Sequence, residues 1–233
     1  FYVVNITDPS NPVITDSVQG SMRSINDLMS TPDGQYLVYT REGAADRKNG
    51  IGIASLEDPL HPKEIALFTD GVTSGVHSAF VHHQEKFGTH VYVTNDGTGA
   101  MHVVDIGDPR NPKGIATWRT DRADAGRMLH DIDVQDGLAY LSYWNDGLVV
   151  LDVGNGIKGG SPSNPVFVTQ FKYDLDALYR NVQAQGKPWV RGTHTAWRSG
   201  KYVFVADEVF VLEDLMKLSG GQASRAYGNL QVL

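Results

Sequence analysis

The sequence predicts an all-β protein: a β-propeller of four-stranded antiparallel blades with short helical insertions. Three observations carry that expectation. A corner of the form Asp-Pro-x-x-Pro stands at Asp8–Pro12, Asp58–Pro62 and Asp108–Pro112, at equal spacings of 50 residues, with a looser copy at Ser161–Pro165. Short apolar runs of strand length precede and follow each corner. Between corners these runs come in fours, separated by turn residues. Four strands at a period near 50 residues is the pattern of propeller blades. A β-sandwich has no reason to repeat its corners at equal intervals.

Residues 1–20 read as the last half of a blade. Phe1–Ile6 is a strand, the Asp8 corner turns it and Val13–Val18 returns. Proline fixes φ and cannot donate to a ladder, so two prolines three apart mark one strand's end and the next one's start. Residues 24–71 form the first whole blade. Its strands are Ser24–Ser30, Gln35–Thr40, Gly50–Leu56 and Lys63–Phe68; Thr31-Pro32-Asp33-Gly34 makes the first turn, with Pro second and Gly last.

Residues 75–121 repeat the plan with Val76–His82, His90–Thr94, Ala100–Ile106 and Gly114–Arg119. Residues 128–173 repeat it again, with Leu129–Val134, Leu138–Tyr143, Leu148–Val153 and Pro165–Phe171; Asp136-Gly137 and Asp146-Gly147 are hairpin signals. Residues 191–233 supply Thr193–Arg198, Lys201–Ala206 and Asn229–Leu233. Two stretches, Tyr173–Lys187 and Val211–Leu218, carry helical rather than alternating spacing and are expected as insertions on one rim. All of 1–233 is expected to be one propeller domain. Both ends fall inside strands, so the chain is expected to be part of a longer one.

Composition narrows the function classes. The chain has 233 residues, is 41% hydrophobic and carries a formal charge of −7 without a dense basic run, which disfavours nucleic acid or an anionic membrane surface as partner. No apolar run reaches the roughly 18 residues of a membrane helix. Cysteine is absent, which is compatible with any redox compartment. Nucleophile-elbow, P-loop, dinucleotide, His-Glu-x-x-His and EF-hand motifs are all missing.

Strands such as Gly147-Leu148-Val149-Val150-Leu151-Asp152-Val153 and His102-Val103-Val104-Asp105-Ile106, each leading toward a Pro-x-x-Pro-like corner, resemble those of LVIVD-repeat proteins. That resemblance implies a bacterial β-propeller, usually exported, and hence a periplasmic or extracellular location. It implies nothing about activity, because the repeated residues are structural.

Chemistry is expected at the blade starts. Equivalent positions hold His77, His130 and His194, with Asn26 in the 24–71 blade. The ends of the second strands form another column, Glu42, Asp96, Trp144 and Asp207, with Asp146 and Glu208 close by. Such columns admit three readings. Imidazoles with carboxylates suit a divalent transition metal, with His77, His130 and His194 as ligands and Asp96 or Asp207 as helpers. Alternatively each histidine bonds an acid or backbone group within its own blade. The third reading is metal-free acid–base chemistry. The vicinal pair His82-His83 faces opposite sides of a strand and cannot chelate one ion.

Trp144, Trp189, Trp197, Arg127 and Arg191 cluster near the later blade starts, and Tyr179 lies on the helical stretch. Aromatic and arginine side chains of this kind suit a protein-binding rim. The leading expectation is therefore an exported protein-binding or scaffolding module, with Tyr179, Trp189, Arg191 and Trp144 toward the partner, another protein at the cell envelope. The alternative is a metal-dependent enzyme with a histidine-lined channel site.

Overall fold

The structure is a computed structural model that describes residues 1–121, 128–172, 191–209 and 230–232. It is a β-propeller fold: successive antiparallel meanders, with no helix among the described residues. Strands β1 (Tyr2–Asn5) and β2 (Val13–Ser17) pair alone. β3 (Leu28–Ser30), β4 (Tyr36–Arg41), β5 (Gly50–Ser55) and β6 (Lys63–Phe68) form the first complete blade. β7 (Ala79–Gln84), β8 (Gly88–Asn95), β9 (Ala100–Asp105) and β10 (Lys113–Trp118) form the second. β11 (Asp131–Gln135), β12 (Leu138–Tyr143), β13 (Gly147–Asp152) and β14 (Val166–Phe171) form the third. β15 (Arg191–Ser199), β16 (Tyr202–Val209) and β17 (Leu230–Val232) make a three-stranded sheet. The stretches Tyr173–Lys187 and Val211–Leu218, expected to be helical, lie outside the described residues, as do Arg127, Tyr179 and Trp189.

The chain divides into two compact units. The first is built on Phe1–Gly97 and Met101–Trp118, the second on Arg119–Ser161 and Pro165–Leu233. In the first unit β7 lies alongside β3 and β4, and the facing sheets bury Val38, Ile51, Ile53, Val76, Val81, Val91 and Val104. In the second, β15 lies alongside β11 and β12, and Tyr140, Leu148 and Val150 pack on Ala196 and Val205. The third strands are covered on both faces, which is why they read as continuous apolar runs. β13 is buried at every position, whereas β14 alternates between half-buried and exposed.

The repeated corners share one mechanism. Asp8, Asp58 and Asp108 each accept the N–H two residues on through Oδ1, at 3.0–3.1 Å. Their carbonyls accept the N–H three residues on, also at 3.0–3.1 Å. The side chain and backbone thus close the turn together, and proline fixes φ inside it. A bulge recurs in each third-to-fourth strand pair, at Val3/Val4, Ile53/Ala54, Gly114/Ala116 and Val150/Leu151. That recurrence identifies β1 and β2 as strands of the third and fourth kind.

The first strands begin later than the apolar pattern suggests, at Leu28 and Ala79 rather than Ser24 and Val76. The preceding amides have another acceptor. Thr40 Oγ1 takes the N–H groups of Asn26 and Asp27 at 2.9 and 3.0 Å, and Thr94 Oγ1 takes those of His77 and Ser78 at 3.0 and 2.9 Å. The chain leaves the ladder there and turns Asn26 and His77 out at the strand end.

Candidate functional site

Strand register sets the residues at these ends into correspondence. Asp27 and Ser78 lie level with Thr40 and Thr94, Asp131 pairs with Ser142, and Thr195 pairs with Ala206. One residue before these come Asn26, His77, His130 and His194. Two residues beyond the second-strand partners come Glu42, Asp96, Trp144 and Glu208. The sequence column ended on Asp207. Asp207 instead pairs with Thr193 across the bulge at His194, and the residue two beyond Ala206 is Glu208.

In the first unit Glu42 is the hub. It forms an ion pair with Arg23, accepts from Asn26 Nδ2 at 2.7 Å, and meets His77 Nδ1 at 3.3 Å. Burial pushes the Glu42 carboxyl up, but the contacts with Asn26, His77 and Arg23 outweigh it and hold the group below its ordinary range. Asp96 behaves in the opposite way. Burial, and then the nearby Glu42 charge, push it up to about 6. Both acids converge on Gly75, where a Cβ would stand 2.3 Å from Asp96 Oδ2 and 3.2 Å from Glu42 Cγ. Gly75 also has φ +133°, where other residues are strained. The two neighbouring carboxyls are thus pushed in opposite directions. The histidine–acid contact here joins adjacent blades, β4 of one to the start of β7 of the next.

The second unit uses the same positions differently. Trp144 stands where the first blade has Glu42, its ring 5.6 Å from that of His130. Without a carboxylate at that place, His130 stacks on His194 with ring centroids 4.1 Å apart. His130 Nδ1 lies 3.1 Å from the His194 carbonyl oxygen, which can only accept, so Nδ1 carries the proton. In the neutral ring Nε2 is then the basic nitrogen. Glu208 Oε2 faces both rings, 3.9 Å from His130 Nε2 and 3.6 Å from His194 Nε2. That oxygen is buried and has no hydrogen bond among the described residues.

Backbone splicing holds this cluster. Thr193 N–H donates to the Trp144 carbonyl at 3.1 Å, joining the third blade to the three-stranded sheet. Gly192 makes the approach feasible, since a Cβ there would stand 2.0 Å from the Trp144 oxygen. The bulge at His194 turns its carbonyl out of the β15–β16 ladder and onto His130, a known use of bulges beside sites.

The remaining histidines sit in other surroundings. His102 lies 3.0 Å from Asn95 Nδ2, His83 meets Thr89 Oγ1 at 2.9 Å and His61 faces Asp16 at 3.4 Å. Burial holds the His90 and His102 imidazoles below their usual range. Arg191 pairs with Val209 in the β15–β16 ladder.

The third blade carries the β13 run that is buried at every position. Residues 126–172 match the LVIVD repeat. The LVIVD segment therefore carries His130 and Trp144, while His194 and Glu208 come from the sheet after it. No curated protein matches the chain. Among solved structures, a protein of unknown function from Desulfotomaculum acetoxidans is 13% identical, with a TM-score of 0.55 over 99% of this chain and 61% of that one. A protein provisionally named a gluconolactonase is also 13% identical, with a TM-score of 0.50 over 87% of this chain and 62% of that one. This chain thus spans less than two thirds of either, and the likeness at such identity concerns the fold alone.

Proposed function

We propose that the protein is an exported protein-binding β-propeller module, working at the cell envelope. The observation that carries this is an aromatic face on the three-stranded sheet that is exposed among the described residues. Trp197 pairs with Phe204, and Tyr202 lies on the same side two residues away. Trp197 and Tyr202 are each 59% exposed and Phe204 is 37% exposed. The counterparts of Phe204 in the complete blades are Val38, Tyr92 and Tyr140, all buried. On the opposite side of the same strands Ala196 and Val205 are buried against the third blade.

Large aromatic side chains grouped on one exposed sheet face mark interaction surfaces and supply most of the binding energy when they are covered. The partner this chemistry fits is another protein that lays an apolar sheet against the face, as one blade lies on the next. Export rests on the resemblance to LVIVD-repeat proteins, and no helix among the described residues is long and apolar enough to cross a membrane. The test is site-specific photo-crosslinking in the native host, with the reactive group at Tyr202 and, as control, at Lys172. One defined protein captured from Tyr202 alone, and lost in a Trp197→Ser/Phe204→Ser variant that still folds, is the expected result. Equal capture from both positions, or none, contradicts the reading.

The other reading, a metal-dependent activity, is favoured by a separate observation, the pairing of His130 and His194 over Glu208.

A further inference from the structure

We propose that His130 Nε2, His194 Nε2 and Glu208 Oε2 bind one divalent transition-metal ion of the later first row. The inference does not depend on the aromatic face or on a protein partner. It rests on four features of the second unit.

Spacing is the first. The donor atoms lie within 4.8 Å of one another, with Glu208 Oε2 at 3.6 and 3.9 Å from the two nitrogens. Three points so spaced share a centre at most about 2.4 Å from each, close to the roughly 2.0–2.2 Å of zinc–nitrogen and zinc–oxygen bonds. A shift of a few tenths of an ångström completes the fit.

Protonation is the second. Donation from His130 Nδ1 to the His194 carbonyl fixes the tautomer that leaves Nε2 basic. Ligating histidines are oriented in this way, with the far ring nitrogen donating to a backbone carbonyl or carboxylate. Here the carbonyl belongs to the second ligand, so one β-bulge positions both rings.

Charge is the third. Glu208 Oε2 is buried without a hydrogen bond among the described residues. A buried carboxylate oxygen facing two imidazoles gains little from them while they are neutral, and a cation supplies what it lacks.

The fourth is the contrast with the first unit. There Glu42 holds His77 together with Asn26 and Arg23, so the acid is satisfied by protein groups. In the second unit Trp144 replaces that acid, and the imidazoles turn to Glu208 instead.

Two imidazoles and one carboxylate suit Zn²⁺, Co²⁺, Ni²⁺, Cu²⁺ or Fe²⁺; Mg²⁺ and Ca²⁺ favour all-oxygen shells. Three protein donors leave a tetrahedral ion one position for water or a substrate oxygen, the arrangement of catalytic rather than structural centres. The site would therefore present a Lewis acid at the strand ends of the LVIVD segment.

The whole chain, stripped with a chelator and returned to neutral pH, is titrated with Zn²⁺ and, in parallel, with Co²⁺. One equivalent should bind, and the bound Co²⁺ should show the intense visible bands of four- or five-coordination. His130→Ala, His194→Ala and Glu208→Gln should each weaken binding by about 100-fold or more, while His77→Ala should leave it unchanged. Glu208→Gln keeps the side-chain volume, and circular dichroism checks that each variant folds. No stoichiometric binding by the parent chain overturns the proposal. So does binding that survives in a folded His130→Ala/His194→Ala variant.

Discussion

Asp96 makes the stability of the first unit depend on pH in an unusual direction. Its carboxyl is raised from 3.8 to about 6 by burial and by Glu42. Between those two values the native state binds more protons than the unfolded chain, so stability falls as pH rises through the window. Below about pH 4 the group is protonated in both states and contributes no difference. Above about pH 6 it is ionised in both, and the native state bears the full penalty. A shift of roughly two units corresponds to about 3 kcal/mol at 1.36 kcal/mol per unit, an upper figure because Asp96 is partly in contact with solvent. Asp96→Asn removes the titration while keeping the shape. Urea unfolding of the parent and of Asp96→Asn is compared from about pH 4.5 to about pH 7.5. The parent should lose up to about 2 kcal/mol relative to the variant across that range, with most of the change between pH 4.5 and 6.5. Parallel curves would show that Asp96 is not held against Glu42 in a poorly hydrated place, and the account of Gly75 as the residue that brings the acids together would fail with it.

Other substitutions probe the remaining joints. Asp152 is fully buried and its carboxylate accepts from the backbone N–H groups of Gly154, Gly156, Lys158 and Gly160 at 2.7–3.2 Å. Burial raises this group, but the four donors outweigh it and bring it down to about 2. Its contribution of about 2 kcal/mol should be present above about pH 4 and fade as pH falls toward 2, and Asp152→Ala should remove that dependence in acid unfolding. Gly192→Ala drives a Cβ into the Trp144 carbonyl; it should cost on the order of 2–4 kcal/mol in thermal unfolding and weaken the proposed metal site, while Gly200→Ala, with open space at Cβ, should spare that site. Thr94→Val strips the acceptor from the His77 and Ser78 amides and should cost about 1–3 kcal/mol in urea unfolding.

The corners and blades were readable because their causes are local. Asp8, Asp58 and Asp108 each close a turn with bonds inside five residues, so a short motif carries the whole arrangement. The runs around Val104 and Val150 are buried on both faces, and an unbroken apolar stretch records that. The strand starts were harder. Thr40 and Thr94 draw the preceding amides away from the ladder, and nothing in a threonine's neighbours announces that it accepts two N–H groups. The histidine column was legible from position alone, but its acids were not. The register that reaches Glu208 rather than Asp207 is fixed by the Thr195–Ala206 pair, which no local residue signal marks. The difference between Glu42 and Trp144 was visible in the sequence. Its consequence was not, because only the packing shows that losing that acid leaves two imidazoles facing each other. The exposure of Trp197, Tyr202 and Phe204 was hidden for a related reason: their counterparts are buried by a neighbouring sheet, and a strand's own residues do not say whether one is present.

The most direct measurement is X-ray absorption at the metal edge of the whole chain loaded with one equivalent of Zn²⁺ or Co²⁺. A first shell of nitrogen and oxygen at about 2.0–2.2 Å is expected, with the outer scattering of two imidazoles, falling to one in His194→Ala. A shell of oxygen alone, or two imidazoles that persist in that variant, would contradict the assignment of His130, His194 and Glu208 as a metal centre.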